Sequence, residues 1–280
     1  IFDASGFKLS EAVEAQLEDA ILSDTLGHSA ERVHETGQAT FIQEAESKYL
    51  HFIKSALSSG VTLDGMQLVL DCSNGATFRL APLLFSDLGA HITALCNQPN
   101  GKNINDRCGS QHPEFLCDTV LKNKADIGLA FDGDGDRLIA VDEQGRVLTG
   151  DQTLAVCAGY LKRKDLLKNN TVVSTVMSNM GLGRALAEMG IRHVATAVGD
   201  RHVMEAMVSE GAVLGGEDSG HTVFLGHQTT GDGMLTALKL MEVMVSEDRP
   251  LSELKKVMTV YPQVLINVDV RSKPDLESIP

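Results

Sequence analysis

The stretch "FDGDGDRL", Phe131 to Leu138, sets Asp132, Asp134 and Asp136 two residues apart, separates them with Gly133 and Gly135, and closes with Arg137. Neither regular structure brings three such carboxylates to one point. On a helix, residues two apart face different ways. On a strand they share a face but stand about 6.6–6.8 Å apart. Glycine reaches backbone angles that other residues avoid, so the segment reads as a curled loop that aims three negative groups inward. A small hard cation offsets their repulsion. Magnesium takes oxygen ligands at about 2.0–2.1 Å in an octahedron and keeps positions for water or a substrate phosphate. Two other readings compete. An EF-hand would use the same aspartates, with Glu143 closing the loop, but Arg137 stands where that loop needs glycine and the flanks read as strands. The other is a solvated acidic turn.

Outward from the loop, "DIGLAF" (126–131) is a strand that delivers the chain into it. "LIAVDEQGRVL" (138–148) is a hairpin turning at Glu143 to Gly145. Upstream, "MQLVLDC" (66–72) and "AHITALC" (90–96) read as strands. Helices follow each, over 75–89, with Pro82 disturbing its middle, and over 113–124. A second set begins near Gly150: helix 153–167, strand 171–176, helix 182–189, strand 192–198 and helix 201–209. Strands alternating with helices predict layered α/β units with mixed, largely parallel sheets. Ligands in such folds bind outside the carboxyl ends of strands, which is where the aspartate loop sits. Before these units, Ser10 reads as an N-cap with Glu11 and Glu14 in the first turn, and Val13, Leu17 and Ile21 at helical spacing. A second helix over 42–57 sets Ala45, Tyr49, Phe52, Ile53 and Ala56 on one face. The polar "SSGVTLDG" (58–65) is a boundary.

Composition narrows the function classes. The 280 residues are 43% hydrophobic, enough for sizeable cores, and the net charge of −14 argues against nucleic-acid binding. No run of about 18 apolar residues predicts a membrane span, and the start carries no signal-peptide pattern. The five cysteines are scattered, with no CxxC pair. That makes zinc an unpromising reading and reduced thiols in a cytosol the expectation.

A second candidate site is "GGEDSGHTVF" (215–224), where Glu217, Ser219 and His221 alternate. A carboxylate, a hydroxyl and an imidazole together suit sugar hydroxyls, which both donate and accept. A glycine-rich turn with a histidine satisfied in the core is the bland alternative. "VGDRHVMEAM" (198–207) places Asp200 as a helix N-cap, next to Arg201. The methionines of "TTGDGMLTALKLMEVM" (229–244) read as core filler. "GLGRAL" (181–186) has Leu186 where a dinucleotide fingerprint needs its third glycine, and no local signature supports a Cys–His nucleophile.

Together these stretches resemble the α-D-phosphohexomutase superfamily. "FDGDGDR" is similar to its magnesium loop and "GEDSGH" to its sugar loop. "NGKNINDRCGSQHPE" (100–114), "VGDRHVMEAM" and "TTGDGMLTALKL" resemble the phosphoglucosamine mutase branch. The resemblance implies Asp132, Asp134 and Asp136 as Mg2+ ligands and Arg137 as a cleft arginine at the catalytic centre. It implies Glu217, Ser219 and His221 as sugar contacts, with Asp200 and Arg201 on a neighbouring substrate-facing loop. The implied reaction is a cytoplasmic isomerisation of a phosphosugar. A phosphoserine donates to the sugar, giving a bisphosphate that turns over and returns its other phosphate. In this branch that interconverts glucosamine 6-phosphate and 1-phosphate for amino-sugar nucleotide and cell-wall precursor synthesis.

The same resemblance divides the chain into the end of a first domain (1–59), an α/β domain with the metal loop (60–149), an α/β domain with the sugar loop (150–260) and a linker (261–280). The sequence contains no "TASHNP"-like phosphoserine loop, so the expectation is a central piece, inactive alone, of a longer protein for which the resemblance implies a homodimer. Asp218 stands where the branch carries Gln, facing an amino sugar's ammonium or solvent. A phosphomannomutase or phosphoglucomutase, and a non-catalytic metal- or phosphosugar-binding module, remain the alternatives.

Overall fold

A computed structural model describes residues 1–23, 38–264 and 266. The first unit is a five-stranded sheet in the order β2-β1-β3-β4-β5. Its strands are β1 (Gln67–Asp71), β2 (His91–Leu95), β3 (Ile127–Phe131), β4 (Leu138–Asp142) and β5 (Val147–Leu148). The first three run parallel, and β4 and β5 are antiparallel additions. The second unit is a four-stranded sheet, β7-β6-β8-β9, from β6 (Thr171–Thr175), β7 (Arg192–Thr196), β8 (Leu214–Gly216) and β9 (Thr222–Phe224). Only β9 is antiparallel. The expected layered α/β fold with mixed, largely parallel sheets is present. β3, β4 and β6 are buried along their whole lengths, which explains the unbroken apolar run of β3.

Nine helices are named among the described residues. They are α1 (Glu11–Leu22), α2 (Ala45–Ser55), α3 (Leu80–Asp87), α4 (Glu114–Asn123), α5 (Gly150–Arg163), α6 (Met180–Glu188), α7 (Asp200–Glu210), α8 (Gly233–Glu247) and α9 (Leu251–Leu254). Helices α5 and α8 pack on each other and reach both sheets. One continuous apolar cluster therefore joins Leu68, Leu70 and Leu129 to Leu154, Leu214 and Phe224. The methionines Met234, Met241 and Met244 of α8 lie in that cluster, as filler.

The departures from the sequence reading have physical causes. Helix α3 begins at Leu80, not Gly75, because residues 75–77 pack under the aspartate loop. The Ala76 N–H donates to the Gly133 carbonyl at 2.8 Å, and a Cβ on Gly75 would lie 2.4 Å from that oxygen. Pro82 thus falls in the first turn of α3, where no N–H is needed. Helix α5 begins at Gly150, not Thr153, because Thr149 and Gln152 form a reciprocal capping box. Asp200 is not an N-cap. Gly199 holds that position at φ +125°, and Asp200 is the first helical residue. Ser10 does hold the N-cap position of α1, but its side chain makes no capping bond, and Val13, Leu17 and Ile21 stay exposed.

Candidate active site

The chain leaves β3 at Phe131 and enters the aspartate loop at the carboxyl end of the first sheet. The loop curls through Gly135, at φ +78°. Asp132 turns back on it: its Oδ1 accepts from the Gly135 N–H at 3.0 Å and the Arg137 N–H at 3.2 Å. Asp132 and Asp136 come within interaction range of one another. Burial, then the neighbouring Asp136, pushes the Asp132 carboxyl up. The hydrogen bond from His221 holds Asp136 down at about 2. Asp134 is exposed and lines a cleft of about 570 Å³ together with Asp136, Lys8, Tyr49 and Gly231. The three carboxylates do not close into one tight ligand set in this structure. Among the described residues, the one His/Cys/Asp/Glu trio with ligand atoms all within 4.8 Å is elsewhere. The donor chemistry nevertheless fits a hard dication. Two neighbouring carboxylates, one of which raises the other, share a loop with an exposed third.

The second loop, 217–221, joins β8 to β9 and docks directly on the first. The Leu138 N–H donates to the Gly220 carbonyl at 3.1 Å, and the Gly233 N–H to the Gly135 carbonyl at 2.9 Å. Arg137 and His221 form an antiparallel bridge. Gly220, at φ +94°, has no room for a side chain, since a Cβ would lie 2.3 Å from the Leu138 carbonyl oxygen. The two candidate loops are therefore one backbone-bonded unit, although 80 residues separate Arg137 from Glu217.

His221 is the side chain at that seam, only 3% exposed. Its Nε2 accepts from the Gly231 N–H at 3.2 Å, and its Nδ1 lies 3.1 Å from Asp136 Oδ2. A ring that accepts at Nε2 carries its proton at Nδ1, so His221 donates to Asp136. Both ring nitrogens are engaged inside the protein. Glu217 is half-buried, and its Oε1 accepts from the Gly199 N–H at 3.1 Å, just before α7. Ser219 is exposed. Asp218 Oδ1 accepts from the Asp151 N–H at 3.2 Å, in the first turn of α5. That acidic residue favours a helix N-terminus, a role neither sequence alternative named.

Arg137 leaves its Nε buried and without a hydrogen-bond partner. Asp200 pairs with Lys8, and its Oδ2 lies 3.9 Å from His221 Nε2. Arg201 pairs with Glu14 and, at 3.5 Å, with Glu11 of α1. Lys8, Gly231 and Gly233 were not singled out from the sequence. The glycines of "TTGDG" were the available signal.

The match to known proteins spans most of the chain. Residues 47–145 match phosphoglucomutase/phosphomannomutase alpha/beta/alpha domain II, and residues 149–261 match domain III. The chain belongs to the α-D-phosphohexomutase superfamily. It is 50% identical over 280 residues to the phosphoglucosamine mutase of Syntrophus aciditrophicus, and 51% identical over 280 residues to that of Syntrophobacter fumaroxidans. It spans 62% of the length of each of these relatives and is itself covered completely. A phosphoglucomutase/phosphomannomutase family protein from Burkholderia thailandensis superposes with a TM-score of 0.73 at 25% identity, covering 92% of this chain and 54% of that one. The Aspergillus fumigatus N-acetylphosphoglucosamine mutase, solved with GlcNAc-6P and magnesium, shares the fold at a TM-score of 0.65 and 22% identity, over 85% of this chain and 57% of that one.

Proposed function

We propose that this chain is the metal- and sugar-binding core of a phosphoglucosamine mutase, which interconverts glucosamine 6-phosphate and glucosamine 1-phosphate. The observation that carries the reading is the seam. The aspartate loop and the loop with Glu217 and His221 are joined by backbone hydrogen bonds, so a phosphate at the first and a sugar at the second belong to one ligand. About 50% identity to two phosphoglucosamine mutases supports the choice of sugar.

In this reading Asp132, Asp134 and Asp136 hold Mg2+, and His221 fixes the carboxylate of Asp136 from behind. Magnesium, when bound, neutralises charge on the transferring phosphoryl oxygens. Arg137, next to the aspartates, supplies positive charge for the substrate's phosphate. Glu217, with Ser219 beside it, faces sugar hydroxyls and is oriented by Gly199. Asp200 and Arg201, each already paired with a residue of the N-terminal segment, tie that segment to the sugar loop at the cleft's rim. Phosphoryl transfer leaves little covalent work for these groups. They position the sugar and compensate charge.

The test is a mutase assay on the full reading frame, with a bisphosphate primer and glucosamine, mannose and glucose 6-phosphates as competing substrates. The expected result is a kcat/KM for the glucosamine ester higher by about tenfold or more. Preference for mannose or glucose would reassign the substrate, and no turnover of any ester would favour a binding module.

A further inference from the structure

The ligand trio outside this cleft joins three residues that the sequence keeps apart. Asp71 ends β1 and is fully buried, and each carboxylate oxygen accepts one backbone N–H, from Ser73 and from Gly109, both at 2.9 Å. Cys96 follows β2 with its backbone turned to φ +45° and is half-buried. Cys108 is buried beside it. The two sulfurs and a carboxylate oxygen all lie within 4.8 Å of one another. In a tetrahedral zinc site, Zn–S bonds of about 2.3 Å and Zn–O bonds of about 2.0–2.2 Å set donor atoms about 3.3–3.8 Å apart. Small side-chain movements reach that spacing.

We infer that Asp71, Cys96 and Cys108 form a binding site for a thiophilic divalent cation of the zinc(II) class. The electrostatics set a cost that the cation must offset. Burial first, then the charge of Asp71, pushes the Cys96 thiol up to about 12. Burial also raises Asp71 and Cys108. The charges that act on the two thiols are all acidic, Asp71 on both and Asp106 on Cys108. A dication supplies the missing positive charge. On binding, two S–H bonds break, two metal–sulfur bonds form and two protons pass to solvent. The carboxylate serves as the third ligand, and the half-exposed Cys96 side leaves a fourth position open to water. Soft sulfur donors separate this site from the all-oxygen aspartate loop, which selects magnesium.

The site lies behind the aspartate loop. The Asn105 N–H donates to the Ser73 carbonyl at 2.9 Å and the Ser110 N–H to the Phe131 carbonyl at 3.0 Å. A bound cation would therefore pin β1, β2 and the 97–109 segment beneath Asp132.

Cobalt(II) is the probe, because thiolate ligation gives an intense sulfur-to-cobalt charge-transfer band that oxygen ligation lacks. The reduced 280-residue chain is titrated with Co2+ in excess Mg2+, then with Zn2+. The expected result is a band saturating at one equivalent and abolished by Zn2+. It should be lost in Cys108→Ser and Cys96→Ser, and retained in Cys117→Ser and Asp134→Asn. Cys96 is only half-buried, so its serine variant should fold, and circular dichroism checks this. No charge-transfer band in the wild type, or a band that survives in the Cys96→Ser/Cys108→Ser double variant, overturns the inference.

Discussion

Replacing His221 by alanine tests the joint between the two loops. The ring donates from Nδ1 to Asp136 at 3.1 Å and accepts at Nε2 from Gly231 at 3.2 Å. Its loss removes a hydrogen bond to a carboxylate, worth about 1.5–3 kcal/mol, and strands a buried N–H. Part of that cost appears as stability. The rest appears at the metal, because removing the group that orients a ligand lowers metal affinity by about 10–100-fold, or about 1.4–2.7 kcal/mol. The assay is Mn2+ binding to the chain by electron paramagnetic resonance, with thermal unfolding measured in parallel. His221→Asn keeps an amide N–H near the Nδ1 position and should retain most of the affinity. His221→Gln reaches only toward Nε2 and should behave like alanine. Gly231→Ala offers an orthogonal perturbation, since its Cβ would stand 2.5 Å from Cε1 and 2.6 Å from Nε2 of the ring. It should displace the imidazole without deleting a polar group, and affinity should fall. A folded His221→Ala chain that binds Mn2+ within about twofold of wild type would refute the reasoning. If that variant unfolds, the asparagine, glutamine and Gly231→Ala series decides.

Asp134→Asn should leave thermal stability within about 0.5 kcal/mol, because the side chain is exposed, while Mg2+ affinity by calorimetry falls; equal affinity would remove Asp134 from the ligand set. In the full-length enzyme, Glu217→Ala should lower kcat/KM in both directions by about tenfold and leave Mg2+ affinity unchanged, and the reverse pattern would exchange the roles of the two loops. Burial, then the charge of Asp218, raises the Asp151 carboxyl from 3.8 to about 6, so the unfolded chain loses this proton first and stability falls as pH rises between those values. Asp151→Asn should therefore be more stable than wild type above pH 6, by about 1–3 kcal/mol, and should flatten that slope in chemical denaturation; an unchanged slope would show that Asp151 is not the group responsible.

Legibility in the sequence tracked how local each cause was. The strand entering the aspartate loop was visible because Ile127 to Phe131 is an apolar run that stops at a charge. The hairpin after the loop was visible from Gly145 between two apolar stretches. The start of α3 was not, because residues 75–77 have helix-compatible composition and are drawn out of the helix only by contact with Gly133. The roles of Asp200 and Asp218 depended on which donor each carboxylate met, a lysine ammonium for the first and a backbone N–H for the second. In both cases the partner, Lys8 or Asp151, comes from another segment. The Asp71, Cys96 and Cys108 trio escaped the spacing rules for the same reason: its three members arrive from β1, from the end of β2 and from a loop.

The seam explains why the glycines around it are needed. Gly220, Gly231 and Gly233 would each place a Cβ within about 2.5 Å of atoms at the seam, of Leu138, His221 and Arg137 respectively. Each lies on the second loop or its flank, and each contact is with the first loop or the histidine that backs it. A side chain at Gly220 or Gly233 would push the two loops apart at their backbones, and one at Gly231 would displace the His221 ring that backs Asp136. Positions that look like turn punctuation in the sequence therefore set the distance between the two halves of the proposed ligand. In the proposed reading, a sugar held in two reversed orientations needs that distance fixed, so that either phosphate would reach the same carboxylates while the hydroxyls stayed in reach of Glu217.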